Sequence, residues 1–188
     1  MLTKSVITAL ALAGAGFAAL PALASGLDIE ISGQANGTIH IDLLEDVAPG
    51  HVERIVTLAE SGAYDGVWFH RVIEGFMAQT GDVQHARDGG DMRRAGTGGS
   101  DMPDLKAEFS NEDFGRGVVG MARSSDPDSA NSQFFIMFAP APHLNGQYTV
   151  VGRVTEGMDV VDAIKRGQGR SGTVTGAPDR MVTVTVTD

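Results

Sequence analysis

Residues 68–82 read Trp68-Phe69-His70-Arg71-Val72-Ile73-Glu74-Gly75-Phe76-Met77-Ala78-Gln79-Thr80-Gly81-Asp82. Aromatic and β-branched residues fill both halves, and Glu74-Gly75 divides them, which is the pattern of two strands joined by a tight turn. Within these apolar runs stand a histidine, an arginine and a glutamine. At period 2, an inward Phe69 carries Arg71 and Ile73 to its own face, and the return strand brings Gln79 beside Arg71. An arginine on an apolar strand face must be paired or put to use, because burying a lone charge is costly. Position alone leaves two readings: a structural arginine held by Gln79 and backbone carbonyls, or a functional one.

The flanking sequence extends the strand pattern. Ile29 and Ile31 alternate with polar neighbours, as do Ile39, Ile41 and Leu43, and Val182, Val184 and Val186. With Val67–Ile73, Phe76–Thr80, Val118–Ala122, Phe134–Phe138 and Tyr148–Val154 these make eight strands. Two stretches change to helical period. In Pro49–Glu60, Val52, Ile55, Val56 and Ala59 share a face, with Pro49 in the first turn and Gly62 beyond the end. In Met158–Arg166, Val160, Val161 and Ile164 share a face, and Lys165 and Arg166 suit the dipole of the last turn. Eight short strands with two separated helices predict a mainly-β fold, a closed antiparallel barrel of eight strands capped by two helices. Two long loops, Arg87–Leu105 and Ser124–Ser132, are candidate functional segments.

Composition narrows the function. The chain has 188 residues, enough for one domain, and no cysteine, which excludes disulfides, thiolate metal sites and a cysteine nucleophile. A formal net charge of −10 argues against a nucleic-acid partner. The five histidines His40, His51, His70, His85 and His143 form no metal-ligand spacing, and neither metal nor cofactor is expected. Gly167-Gln168-Gly169-Arg170-Ser171-Gly172 spells a dinucleotide fingerprint, yet it follows a helix and opens none, so it reads as a flexible connector. No serine-hydrolase elbow is present.

Residues 1–24 form an export leader in this reading: Lys4, an uncharged Ala- and Gly-rich stretch, then Pro21 and the small-x-small pattern Ala22-Leu23-Ala24. Cleavage after Ala24 leaves residues 25–188 as a periplasmic domain with no membrane span, its formal charge moved from −10 to −11 by the loss of Lys4.

The stretch from Phe69 to Asp82 resembles the signature of cyclophilin-type peptidyl-prolyl cis-trans isomerases. Gly96-Thr97-Gly98-Gly99 is similar to the family's glycine loop. Ala107-Glu108-Phe109, the run Gly117 to Arg123, Asn131-Ser132-Gln133-Phe134-Phe135-Ile136 and Leu144-Asn145-Gly146 with Tyr148-Thr149-Val150 follow in the family's order. Met121-Ala122-Arg123 and Tyr148 bring the bacterial members nearest.

The resemblance implies an eight-stranded barrel and isomerisation of X–Pro bonds by a monomer acting on proline-containing polypeptides, assisting their folding. It implies Arg71 as the catalytic residue, with Gln79 orienting it and touching substrate backbone. Phe76, Met77, Phe135 and Leu144 correspond to the proline pocket, and Ala122, Arg123 and Gln133 to the far side of the groove. His70 and Tyr148 line the site in the family, and Thr97 and Ser100 flank a secondary pocket. His143 stands where several members carry tryptophan, which implies weak cyclosporin binding. Val151 stands where phenylalanine is frequent. The alternative is a proline-peptide binding module or chaperone with incidental turnover; Arg71 and Gln79 together favour the enzyme.

Overall fold

The computed structural model describes residues 25–188, so the expected leader and its cleavage point at Ala24 lie outside the described residues. Eight strands run β1 (Gly26–Ser32), β2 (Gly37–Leu43), β3 (Arg71–Ile73), β4 (Met77–Thr80), β5 (Val118–Met121), β6 (Phe134–Met137), β7 (Val150–Glu156) and β8 (Arg180–Thr187). They form one sheet in the order β3-β4-β6-β5-β7-β2-β1-β8. Every neighbouring pair is antiparallel. Register shifts at Glu30/Ile31, His40/Ile41 and Val119/Gly120 add the local bend and twist by which the sheet curls.

The sheet is an open half-barrel, which corrects the closed barrel expected above. β3 and β8 are its edges, because the chain leaves the ladder between Val67 and His70. Among the described residues a single bridge, Trp68↔Arg180, spans the seam, helped by Gly66 N donating to Met181 O at 2.7 Å, Phe69 N to Asp179 O at 2.9 Å and Met181 N to Val67 O at 2.9 Å. The expected strand Val67–Ile73 therefore shrinks to Arg71–Ile73. The break also resets side-chain parity. Phe69 and Val72 both enter the main core, whereas Ile73 joins a second apolar cluster on the other side. Arg71 thus shares a face with Ile73 but not with Phe69.

The main core gathers the alternating Ile29, Ile31, Ile39, Ile41 and Val184 under two helices. Val151 is buried with them. Helix α1 (Pro49–Glu60) buries Val52, Ile55, Leu58 and Ala59 and places Pro49 in its first turn. Helix α2 (Met158–Ala163) stops three residues before the expected end. The buried carboxylate of Asp179 takes the Lys165 backbone N–H at 2.6 Å, and the chain turns out of the helix. Lys165 and Arg166 do not serve the dipole. The Lys165 ammonium donates to Thr175 O and Ala177 O, and Arg166 lies over the Phe138 ring at 4.1 Å.

Candidate active site

The second apolar cluster lines the groove. Met77 from β4 and Phe135 from β6 are buried there with Phe114, Leu144 and Val150, and Ile73, Phe76, Ala122 and Tyr148 pack on top. Gly120 makes the floor possible: a Cβ there would lie 2.6 Å from atoms of both Phe114 and Phe135. Those two rings stack at 5.8 Å, and Tyr148 stands edge-on to Phe135 at 5.8 Å. Over this floor opens a cavity of about 150 Å³, walled by Phe76, Met77, Phe135, Leu144 and Tyr148, with Arg71, Gln79, Ala122 and Arg123 at its rim. It suits one small apolar ring flanked by peptide.

Arg71 is half-buried, and its register partner is Gln79. Nη1 donates to Gln79 Oε1 at 3.1 Å, and Nε donates to Ser171 O at 3.0 Å. Nη2 has no partner among the described residues. Burial pulls the guanidinium below the usual arginine range, with Tyr148 opposing the shift; at physiological pH it remains a cation. Gln79 extends the chain of contacts, since its Nε2 donates to Gln133 Oε1 at 2.9 Å and Gln133 Nε2 donates to Gly98 O at 2.8 Å. One amide hydrogen of Gln79 is thereby committed to Gln133, and one is left for a ligand.

Beyond Gln79 and Gln133 lies a larger cavity of about 480 Å³, walled by the glycine loop Gly96–Ser100, Asn131, Asp104, Ala122 and Arg123. Thr97 and Ser100 both line it. Arg123 divides the two cavities: it lies over Tyr148 at 4.4 Å and donates to Gln147 O at 2.9 Å and Ser124 O at 2.8 Å. The stacking contributes about 0.5–1 kcal/mol at such an exposed site.

One position, His70, differs in detail from expectation. His70 does not line either cavity; it is buried behind the glycine loop, where a Cβ on Gly96 would come within 3.1 Å of its ring. Neither ring nitrogen has a hydrogen-bond partner among the described residues, and burial lowers its pKa, so it is a neutral packing group at pH 7. His143 is exposed on a 3-10 turn (Pro142–Leu144) and stacks on Phe76 at 5.9 Å.

Three residues with no assigned role in the sequence reading shape the site. The buried Asp82 carboxylate accepts from Gln84 N and His85 N through Oδ1, and from Gly96 N and Gly98 N through Oδ2. Asn131 Oδ1 fastens Ser100 through its backbone N–H at 2.8 Å and its hydroxyl at 2.7 Å. Ser171 supplies the carbonyl that holds Arg71. Asp82 and Asn131 stand within the quoted motifs, which mark the positions without giving them a role, and the Ser171 carbonyl is a backbone group with no residue type to read.

Comparison with known proteins agrees on one family. Residues 26–186 match the family described as cyclophilin type peptidyl-prolyl cis-trans isomerase/CLD. A probable peptidyl-prolyl cis-trans isomerase of Brucella suis is 53% identical over 185 residues, 94% of each chain. The peptidyl-prolyl cis-trans isomerase CYP18-1 of Arabidopsis thaliana is 37% identical over 154 residues, 80% of this chain and 90% of its own. A cyclophilin type isomerase of Cryptosporidium parvum, crystallised in the presence of the dipeptide Ala-Pro, has a TM-score of 0.73 at 24% identity, covering 87% of this chain and 99% of its own. The sheet order, the arginine-edged apolar groove and these likenesses agree: the chain belongs to the cyclophilin-type peptidyl-prolyl cis-trans isomerases.

Proposed function

We propose that this isomerase turns over X–Pro bonds of exported polypeptides in the periplasm, as a monomer, with Arg71 as its catalytic residue. The X–Pro amide has cis and trans forms within roughly 1 kcal/mol, separated by a barrier of about 18–20 kcal/mol that comes from lost C–N conjugation. Lowering it requires only that the twisted amide be bound better than either planar isomer. In the twisted state the prolyl nitrogen regains a lone pair, and a charged N–H donor directed at it opposes conjugation. The observation that carries this reading is a guanidinium tethered at Nε and Nη1 beside a proline-sized apolar cavity, with Nη2 left without a partner among the described residues. The proline ring occupies the wall of Phe76, Met77, Phe135 and Leu144, and Ala122, Arg123 and Gln133 take the preceding backbone. Purified residues 25–188 should shorten the tens-of-seconds exchange of an X–Pro peptide in a proline-isomerisation assay. Peptide binding without faster exchange would favour a binding module or chaperone.

Export rests on Lys4, the uncharged stretch and Ala22-Leu23-Ala24. N-terminal sequencing of the protein from its host should begin at Ser25. An intact Met1 end would refute export and leave the enzymology untouched.

Cyclosporin should inhibit weakly. His143 offers a small polar ring against Phe76 where an indole would offer a broad apolar face. His143→Trp is expected to tighten inhibition about tenfold, equal to about 1.4 kcal/mol, with peptide turnover changing less. Equal and tight inhibition of both proteins in one assay would show that residue 143 does not set this wall.

A further inference from the structure

The six-residue run Gly167-Gln168-Gly169-Arg170-Ser171-Gly172 is not a flexible connector. It is a tight hairpin, closed by the bridge Gln168↔Thr173 and by Gln168 N donating to Thr173 O at 2.9 Å. It is laid along the free edge of β3: Val72 N donates to Gly172 O at 2.7 Å, Gly167 N to Val72 O at 2.9 Å and Val174 N to His70 O at 3.0 Å. Close approach explains two of its glycines, Gly167 against the opposite limb of the hairpin and Gly172 against β3. A Cβ on Gly167 would lie 1.8 Å from Gly172 O. One on Gly172, whose φ is +70°, would lie 2.3 Å from Ile73 Cγ1. The entering limb is anchored as well, because Arg166 lies over Phe138 and its Nε donates to Glu74 Oε2 at 2.6 Å.

We propose that this hairpin is a positioning element for the catalytic arginine, with the carbonyl of Ser171 fixing the Arg71 guanidinium through Nε. The proposal rests on the reading that Arg71 acts on the prolyl amide. Covering the edge of β3 needs only the ladder through Val72 and His70. The Ser171 carbonyl stands outside that ladder and takes a side-chain donor instead, Arg71 Nε at 3.0 Å. A second acceptor, Gln79 Oε1, holds Nη1 from β4. A planar group held at two of its three nitrogens cannot turn about its terminal torsions without losing a hydrogen bond. The two acceptors come from opposite sides of β3, one on a neighbouring strand and one on the hairpin. Orientation of Nη2 toward the bound amide is therefore set before substrate arrives, which is the preorganisation that a transition-state donor needs.

The test is Gly172→Ala, in which a side chain at positive φ and against Ile73 must push the hairpin off β3. Two readouts separate positioning from general damage. In protein carrying 15N-labelled arginine, the Arg71 Nε–H signal is identified by its loss in Arg71→Lys. Its exchange with solvent should be slow in the wild type and about tenfold or more faster in Gly172→Ala. Turnover should split the same way, with kcat falling about fivefold or more while KM changes less than about twofold. Should Gly172→Ala fail to fold, Gly169→Ala takes its place: φ is +63° there and nothing lies within 4 Å of the added Cβ, so it strains the turn without overlap. An Nε–H exchange rate equal to wild type in the folded variant would overturn the proposal, and so would faster exchange with unchanged kcat. A wild type without isomerase activity would strike the reading of Arg71 itself, and the exchange rate alone would then decide whether the hairpin holds the arginine.

Discussion

Arg71→Ala is expected to lower kcat/KM at least tenfold, a loss of about 1.4 kcal/mol or more of transition-state stabilisation. The side chain is half-buried at the rim of the small cavity and tied to Gln79 and Ser171, so its removal deletes the donor without opening the main core. Peptide affinity should fall less than turnover, because the donor matters most when the prolyl nitrogen is out of conjugation. Arg71→Lys should recover little. An ammonium keeps the charge but cannot satisfy Ser171 O and Gln79 Oε1 while presenting a third donor from the same plane. The check is a steady-state isomerisation series on the folded variants, beside peptide binding by titration. A folded Arg71→Ala with wild-type turnover would contradict the mechanism.

The second large effect is on the fold. Asp82→Asn should destabilise the domain by about 2 kcal/mol or more, because hydrogen bonds to a buried charge are strong and leaving donors unmet is costly. Both carboxylate oxygens accept two backbone N–H groups each. An asparagine retains one oxygen, and its NH2 then confronts either Gln84 N and His85 N or Gly96 N and Gly98 N, donors against a donor. The loop Gly96–Ser100 should loosen, and the larger cavity with it. The pH dependence has a definite sign. Burial pushes the Asp82 pKa up, but the four backbone donors outweigh it and hold the folded value below the ordinary one. Its contribution is therefore complete above the unfolded carboxylate pKa of about 3.9 and is lost as pH falls through the lower folded value. Urea unfolding from pH 7 down to pH 3 should show the gap between wild type and Asp82→Asn narrowing at the acid end. A gap below about 0.5 kcal/mol at pH 7 would show that the loop does not depend on this carboxylate.

What could be read from the chain follows the range of the interactions. β1, β2 and β8 announce themselves because one face of each is buried and the period of 2 is local. The turn at Glu74-Gly75 and the Arg71↔Gln79 register follow from the same rule. The rule fails one residue earlier. At Phe69 the chain bonds to Asp179, just ahead of β8, and pairing across that seam ends at the single bridge Trp68↔Arg180, too short to continue the ladder, so parity resets and the sheet stays open. Asp179 also ends α2 by capturing Lys165 N, fourteen residues away, which no helical periodicity encodes. The hairpin at Gly167–Thr173 was opaque for a related reason. Gly172 answers to Val72 and Ile73 of β3 nearly a hundred residues upstream, and Gly167 to Gly172 across the hairpin, so out of context they resemble a nucleotide loop or a flexible connector. The apolar wall of the groove is a second small core: its members read as buried from their residue types, and only the family resemblance assigns Phe76, Met77, Phe135 and Leu144 to a common pocket.

The central claim is that the groove binds the twisted prolyl amide better than either planar form. NMR exchange spectroscopy on one X–Pro peptide with residues 25–188 measures both sides of that claim at once: the affinity for each isomer and the rate at which they interconvert on the protein. Affinities for cis and trans within about tenfold of each other, with bound-state interconversion at least a thousandfold faster than the free exchange of tens of seconds, are the predicted result. Tight binding of one isomer with interconversion left at the free rate would contradict it.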